Sequence, residues 1–265
     1  MVVICNDYFK EGAILHYRVL GSGSKANSYI FSDGTTTIVI DNGFSKSKWQ
    51  GLVLSAGYEP QKIDALFLTH MHQDHFRGVS SVSQKFRIPL YANPAIIMQG
   101  IRGYRPTAFN YDTILSIKSL SICSFPTYHD SAGSMGFHFE LGGKKVTLIS
   151  DTGMTSAKML SYASNSHILF IEANYCPKLL ESGPYPLHLK KRISSNFGHL
   201  SNIDSMEFVN QILKTDNKLE TLYFCHLSDV NNSVDVVHSY IDKYLKVPKG
   251  KKLQIRVCPR GELVI

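Results

Sequence analysis

Cysteine is scarce and follows no pattern: five residues, at positions 5, 123, 176, 225 and 258, with no C-x-x-C pair in 265 residues. An odd, irregular set excludes a disulfide framework and a zinc ribbon and points to a reducing compartment, the cytoplasm. Long apolar runs are missing too. No stretch reaches the roughly 18 residues that mark a membrane span. Met1 to Glu11 carries acidic and polar residues where a secretory leader has its apolar centre. There is no G-K-[ST], which excludes a P-loop. Gly21-Ser22-Gly23-Ser24-Lys25-Ala26 fits G-x-G-x-x-A, but β-type sequence (Ser28 to Phe31) follows where a dinucleotide site needs a helix. What remains there is a Gly/Ser turn between antiparallel strands, whose N–H groups and Ser22 are candidate phosphate contacts. Acidic residues are fewer than basic ones, 21 against 28, a net charge of +7. That balance is compatible with a polyanionic partner. Its dense places are Lys144-Lys145, Lys190-Lys191-Arg192 and Lys249 to Lys252, each of which also reads as a solvated face.

What is present is ordinary for a globular chain, 43% hydrophobic and 18% charged, and long enough for one large layered domain or two small ones. The informative stretch is Ala65-Leu66-Phe67-Leu68-Thr69-His70-Met71-His72-Gln73-Asp74-His75. A short apolar run reads as a buried strand. Four metal-capable side chains follow it, as His-x-His-x-Asp-His. His70 and His72, two apart, point the same way in extended backbone and can share one ion. Asp74 and His75 are adjacent, and a turn is needed to aim both at a second ion. The chain has 11 histidines, so some clustering is expected by chance; this order directly after a strand is not.

Around that stretch the chain reads as strands at His16 to Leu20, Ser28 to Phe31 and Thr36 to Asp41, then a helix from Ser45 to Ala56. Asp41, at a strand end, either orients a ligating imidazole or caps that helix. Helices are expected at Gly78 to Phe86 and Pro94 to Ile101, flanking a short parallel strand, Pro89-Leu90-Tyr91. Residues 103 to 112, rich in Gly, Arg, Pro and Tyr, read as a loop. Strands return at Leu120 to Phe125, which leads to His129. Met135 to Leu141 and Lys145 to Ile149 form a hairpin ending at Asp151, and Thr221 to Cys225 delivers His226. Four strand ends thus carry His or Asp. His16, His138, His167, His188 and His238 have no partner at ligand spacing and read as structural, His238 on the apolar face of the last helix with Val234, Ile241 and Leu245.

This order of residues resembles the metallo-β-lactamase fold superfamily over roughly residues 16 to 245. Gly21-Ser22-Gly23-Ser24, Gly198-His199-Leu200-Ser201-Asn202 and His226-Leu227-Ser228 resemble its YycJ (WalJ) branch, whose members are described as exonucleases. Ribonuclease Z and PhnP are similar more loosely. One departure is Glu172-Ala173-Asn174-Tyr175-Cys176, which stands in place of an acidic-Asn-His-Asp run. The resemblance implies an α/β (α+β) fold, a four-layer αβ/βα sandwich in a single domain over 1–265. It also implies two divalent ions, zinc or manganese. His70, His72 and His129 would hold one, Asp74, His75 and His226 the other, and Asp151 would bridge. The expected activity is metal-dependent phosphodiester hydrolysis, a DNA exonuclease-like nuclease using a hydroxide between the ions. Asp74 and His199 are the expected catalytic residues. His199 resembles the non-ligand histidine that phosphodiesterase members hold near the scissile phosphate. Arg192, with Lys190 nearby, is a candidate phosphate fork, although Leu187 to Ile193 also reads as a plain basic helix. The alternatives are a thioester or lactone hydrolase of the glyoxalase II type and a metal-bound nucleic-acid-binding module without turnover. No membrane partner is expected.

Overall fold

The computed structural model describes residues 14–215 and 217–261; the readings placed on Met1 to Glu11, including Cys5, lie outside them. Strands β1 (His16–Gly21), β2 (Ser28–Ser32) and β3 (Thr37–Ile40) pair antiparallel. Helix α1 (Lys46–Ser55) then leads to β4 (Ala65–Phe67). After α2 (Gln73–Phe76) and α3 (Val79–Phe86) come β5 (Pro89–Ala92), α4 (Pro94–Met98) and β6 (Tyr104–Ala108). The last four of these strands run parallel, in the order β3-β4-β5-β6. The second sheet begins with β7 (Ile114–Ile117), β8 (Leu120–Pro126), β9 (Met135–Leu141) and β10 (Lys144–Ile149), all antiparallel. Helix α5 (Ala157–Ser164), β11 (Ile168–Glu172), α6 (Pro177–Ser182), α7 (Leu187–Ile193), α8 (Asn202–Leu213), β12 (Thr221–Cys225), α9 (Val234–Tyr244) and β13 (Gln254–Val257) complete it, with β10 to β13 parallel.

Period-two alternation builds the layers. Ile38, Ile40, Ala65 and Phe67 face Phe137, Phe139, Val146, Leu148 and Phe170 across the gap between the sheets. Their neighbours Val39 and Leu66 turn outward onto Trp49, Val53, Val79 and Val82 of α1 and α3. Leu169, Ile171, Leu222 and Phe224 turn outward onto α5, α8 and α9. The result is the expected helix, sheet, sheet, helix stack. Each fully buried Phe or Leu stabilises it by roughly 1.5–3 kcal/mol. Among the described residues no helix is long and apolar enough to cross a membrane.

Four expectations need correction. Residues 103 to 112 are not all loop, because β6 pairs parallel with β5 at the sheet edge. Its side chains are mostly exposed and it contains Pro106, which only an edge strand tolerates, so it shows no apolar alternation. The second sheet likewise begins at β7, before Leu120. Helix α4 stops at Met98 rather than Ile101, with Gly100 in the left-handed region at φ 79°. His238 is exposed: α9 packs through Val234, Val237, Ile241 and Tyr244, a stripe that leaves it outside.

Candidate metal centre

The loop after β4 stays extended through His72, whose backbone (φ −70°, ψ 145°) caps α2. The short helix then swings Asp74 and His75 back beside His70, which is the turn that adjacent ligands require. Asp41 braces this loop, its carboxylate accepting from Thr69 N (2.8 Å), Thr69 Oγ1 (2.7 Å) and His75 Nδ1 (2.7 Å). It therefore bonds an imidazole of the motif; α1 begins at Ser45 with no side-chain cap. A Cβ on Gly43 would fall 1.9 Å from Asp74 O, so only glycine lets the strand end lie against α2.

The other strand ends converge on the same place. Asp41, Asp151 and His226 each follow their strand in left-handed backbone, at φ 60°, 54° and 56°. This conformation costs a non-glycine residue on the order of 1 kcal/mol and is held by its surroundings. Ser22 supplies one such hold, since its buried hydroxyl accepts from His226 N at 2.7 Å. Ser22 was expected toward substrate; it lies instead beneath His226. The Gly23 N–H is likewise occupied, donating to Asn27 Oδ1.

Together these residues form two triads whose ligand atoms lie within 4.8 Å of one another, His70/His72/His129 and Asp74/His75/His226. Asp151 stands between them. Its carboxylate is 3.7 Å from His129 Nε2, 3.1 Å from His75 Nε2 and 3.5 Å from His226 Nε2. Burial alone would raise the Asp151 carboxyl, but the imidazoles of His226, His75 and His70 hold it well below the usual range. Burial, helped by neighbouring His75, pushes His70 well down to the neutral form. Burial would also lower His226, yet Asp151, Asp74 and Glu172 lift it to about 10. His75 is lifted in the same way by Asp151, Asp74 and Asp41.

This donor set fits divalent metal. His70 Nε2 is buried with no hydrogen-bond partner, while its Nδ1 is 3.0 Å from the Thr69 hydroxyl. A neutral ring nitrogen with an idle lone pair, in a cluster with six further imidazole and carboxylate groups, is costly unless something electrophilic takes the lone pair.

His199 sits over the Asp151 side of this cluster, its Nδ1 donating to Glu172 Oε2 (3.1 Å) with Asp151 Oδ1 at 3.5 Å. Glu172 is fully buried at the end of β11 and also accepts from Thr152 N (2.6 Å). The sequence reading gave Glu172 no role, although an acid at the tip of the apolar strand Ile168 to Ile171 is the signal that had marked Asp151. Asn174 was passed over as well; it donates to His226 O at 3.0 Å. A Cβ on Gly198 would strike Ile193 O at 2.2 Å, and the Gly198 carbonyl accepts from His129 Nδ1 at 2.8 Å. The cluster opens into a cleft of about 330 Å³, which His72, Asp74, Asp151, His199 and His226 line along with Arg192. Arg192 is ion-paired through Nε to Asp130, whose other oxygen is 3.4 Å from His72 Nε2. Lys190 does not line this cleft; its ammonium donates to the Glu181 carbonyl at 2.6 Å.

A model of the metallo-beta-lactamase superfamily matches residues 21–170. Over 230 residues the chain is 31% identical to exodeoxyribonuclease WalJ of Streptococcus pneumoniae serotype 2, covering 84% of this chain and 85% of that protein. Over 238 residues it is 28% identical to exodeoxyribonuclease YycJ of Bacillus anthracis, covering 88% and 89%. The metallo-beta-lactamase fold protein YhfI from Bacillus subtilis superposes with a TM-score of 0.71 over 94% of this chain and 98% of its own. At 16% identity that is a likeness of fold.

Proposed function

Because the chain belongs to the metallo-beta-lactamase superfamily, we propose that it is a metal-dependent phosphodiester hydrolase, a nuclease acting on DNA, working as one domain in the cytoplasm. The observation that carries this reading is the Asp151 carboxylate, shared by two triads at the floor of a cleft that also holds His199 and Arg192. His70, His72 and His129 would hold one divalent ion, Asp74, His75 and His226 a second, with Asp151 between. Nitrogen and oxygen donors without a thiolate suit zinc or manganese. When bound, the two ions lower the pKa of the attacking water and neutralise charge on the phosphoryl oxygens.

The remaining work belongs to the chain's own groups. Glu172 fixes His199 through Nδ1, so that the other ring nitrogen is left to protonate or hydrogen-bond the leaving oxygen. Arg192, planar and permanently charged, presents its free guanidinium nitrogens to a phosphate while Asp130 holds Nε. That cation favours a phosphodiester over a neutral acyl substrate. The relatives named exodeoxyribonucleases supply the choice of DNA.

The test is hydrolysis of bis(p-nitrophenyl) phosphate and of end-labelled DNA and RNA by protein loaded with Mn²⁺ or Zn²⁺. Asp151→Ala should lower hydrolysis on the order of a thousandfold, and an unchanged rate would remove this mechanism. His199→Ala should lower kcat by about a hundredfold with metal content by elemental analysis unchanged. A parallel loss of metal would make His199 a ligand instead.

A further inference from the structure

The cleft has two unlike sides. Most of its lining residues are polar, whereas the apolar ones, Tyr185, Leu189 and Ile193, come wholly from the arm made by α6 and α7. This arm has a small core of its own, in which Tyr175, Leu180 and Ile193 are buried and Tyr185 and Leu189 pack partly exposed against them. Its two ends are tied to the site. Cys176 N donates to Asn231 O at 2.8 Å, and His199 N donates to Ile193 O at 2.9 Å. With Gly198 seated directly on the Arg192 and Ile193 carbonyls, the wall that bears Tyr185 packs directly against the loop that bears His199.

Resting on the phosphodiesterase reading above, we propose that Tyr185 is the platform for the nucleobase next to the scissile phosphate. A cleft of about 330 Å³ is at the small end of ligand sites, which run from roughly 300 to 1,000 Å³, and has room for one nucleotide. A phosphate over the His/Asp floor, within reach of Arg192, leaves the base of the same nucleotide facing the apolar side chains that line the cleft among the described residues. Tyr185, Leu189 and Ile193 offer a ring face and aliphatic surface rather than a set of edge donors and acceptors. They register that a base is present and are indifferent to which one. Sequence-tolerant removal of single nucleotides follows from that surface, and a phosphodiester lacking a base gains nothing from it.

The experiment compares oligodeoxynucleotides ending in an ordinary nucleotide or in a base-free tetrahydrofuran residue, at either end, cut by the Mn²⁺-loaded protein. The wild type should favour the ordinary end by roughly tenfold in kcat/KM, the size of one base–aromatic stack. Tyr185→Ala should lose most of that preference and Tyr185→Phe should keep it. The readout is a ratio within each variant, so a general loss of activity cancels. Should Tyr185→Ala fail to fold, Tyr185→Leu keeps apolar packing against Leu180 without a ring and carries the same comparison. As a second readout, 2-aminopurine at the terminal position should be quenched on binding to the wild type and to Tyr185→Phe but not to the ringless variants. An undiminished preference in the ringless variants, or none in the wild type, overturns the proposal. If the wild type cuts both ends equally well, hydrolysis stands and only the platform falls; if it cuts neither, the phosphodiesterase reading falls with it.

Discussion

The two triads share one carboxylate but differ in what stands behind them. His70 and His129 are backed by neutral groups, the Thr69 hydroxyl and the Gly198 carbonyl. His72 is half-buried at the mouth of the cleft, its neighbouring carboxylate Asp130 (3.4 Å) partly exposed and already paired with Arg192. Burial pushes all three of these imidazoles down, toward the form that has a lone pair to give. The second triad contains a carboxylate of its own, Asp74, and is backed by two fully buried ones, Asp41 beside His75 and Glu172 beside His226. Against burial, the shared Asp151 and then those acids lift His75 and His226 into the protonated form. One sheet edge has thus built a neutral donor set beside an ion-paired one. The first is ready for a metal, while the second holds itself together without one.

The largest effect should come from removing what the triads share. Asp151→Ala is expected to lower kcat on the order of a thousandfold, and hydrolysis that survives it would mean the triads work separately. Next is the stability of metal-stripped protein in urea. His75→Ala leaves the buried Asp41 without a counter-charge and Asp74 and Asp151 with His226 alone, and should cost about 3–5 kcal/mol. His70→Ala removes a ring that burial holds in the neutral form and should cost about 1–2 kcal/mol. Equal losses would erase the distinction.

The same contrast separates what could be read in the sequence from what could not. Metal-capable residues that follow apolar strands directly, His70 to His75, Asp151 and His226, could be read as one set because a buried strand has a fixed end, and the structure brings them within reach of one another. Asp41 was legible as one of two options, and hydrogen bonds decided between them. Backing groups were harder. Glu172 carried the right signal at the end of β11, but a chain of letters does not reveal that β11 lies beside β10 and β12. Ser22 and Lys190 were misplaced for a related reason. A serine in a Gly-rich turn looks the same whether it faces substrate or, as here, the backbone of a residue 204 positions away. β6 escaped because an edge strand with exposed side chains needs only its backbone to pair.

A smaller effect tests the backing directly. Asp41→Asn keeps the shape at His75 but removes the charge behind it, and should weaken one of the two proposed metal-binding events by about 10- to 100-fold. Competition titration with a chromophoric chelator should then show a single weakened phase. If both phases move together, Asp41 braces the whole loop through Thr69 rather than one ligand.

The smallest signal is the most specific to the comparison. His226, lifted from 6.5 to about 10 in the metal-free protein, and His75, lifted likewise, are protonated at pH 7 and must lose those protons to ligate. His70, His72 and His129 have none to lose. Metal loading at pH 7 should therefore release about two protons, read from calorimetry in buffers of different ionisation enthalpy, with His75→Ala and His226→Ala each removing about one. His70→Ala should remove none. The linkage has a definite sign in the stripped protein. A raised histidine stabilises fully below 6.5 and loses that contribution as pH climbs toward 10. A depressed Asp151 stabilises above its ordinary 3.8 and loses that contribution in acid. The ion-paired triad should make metal-free protein most stable between about pH 4 and 6.5, with an alkaline decline that metal loading removes. A decline that persists in the loaded protein would place its origin outside this triad.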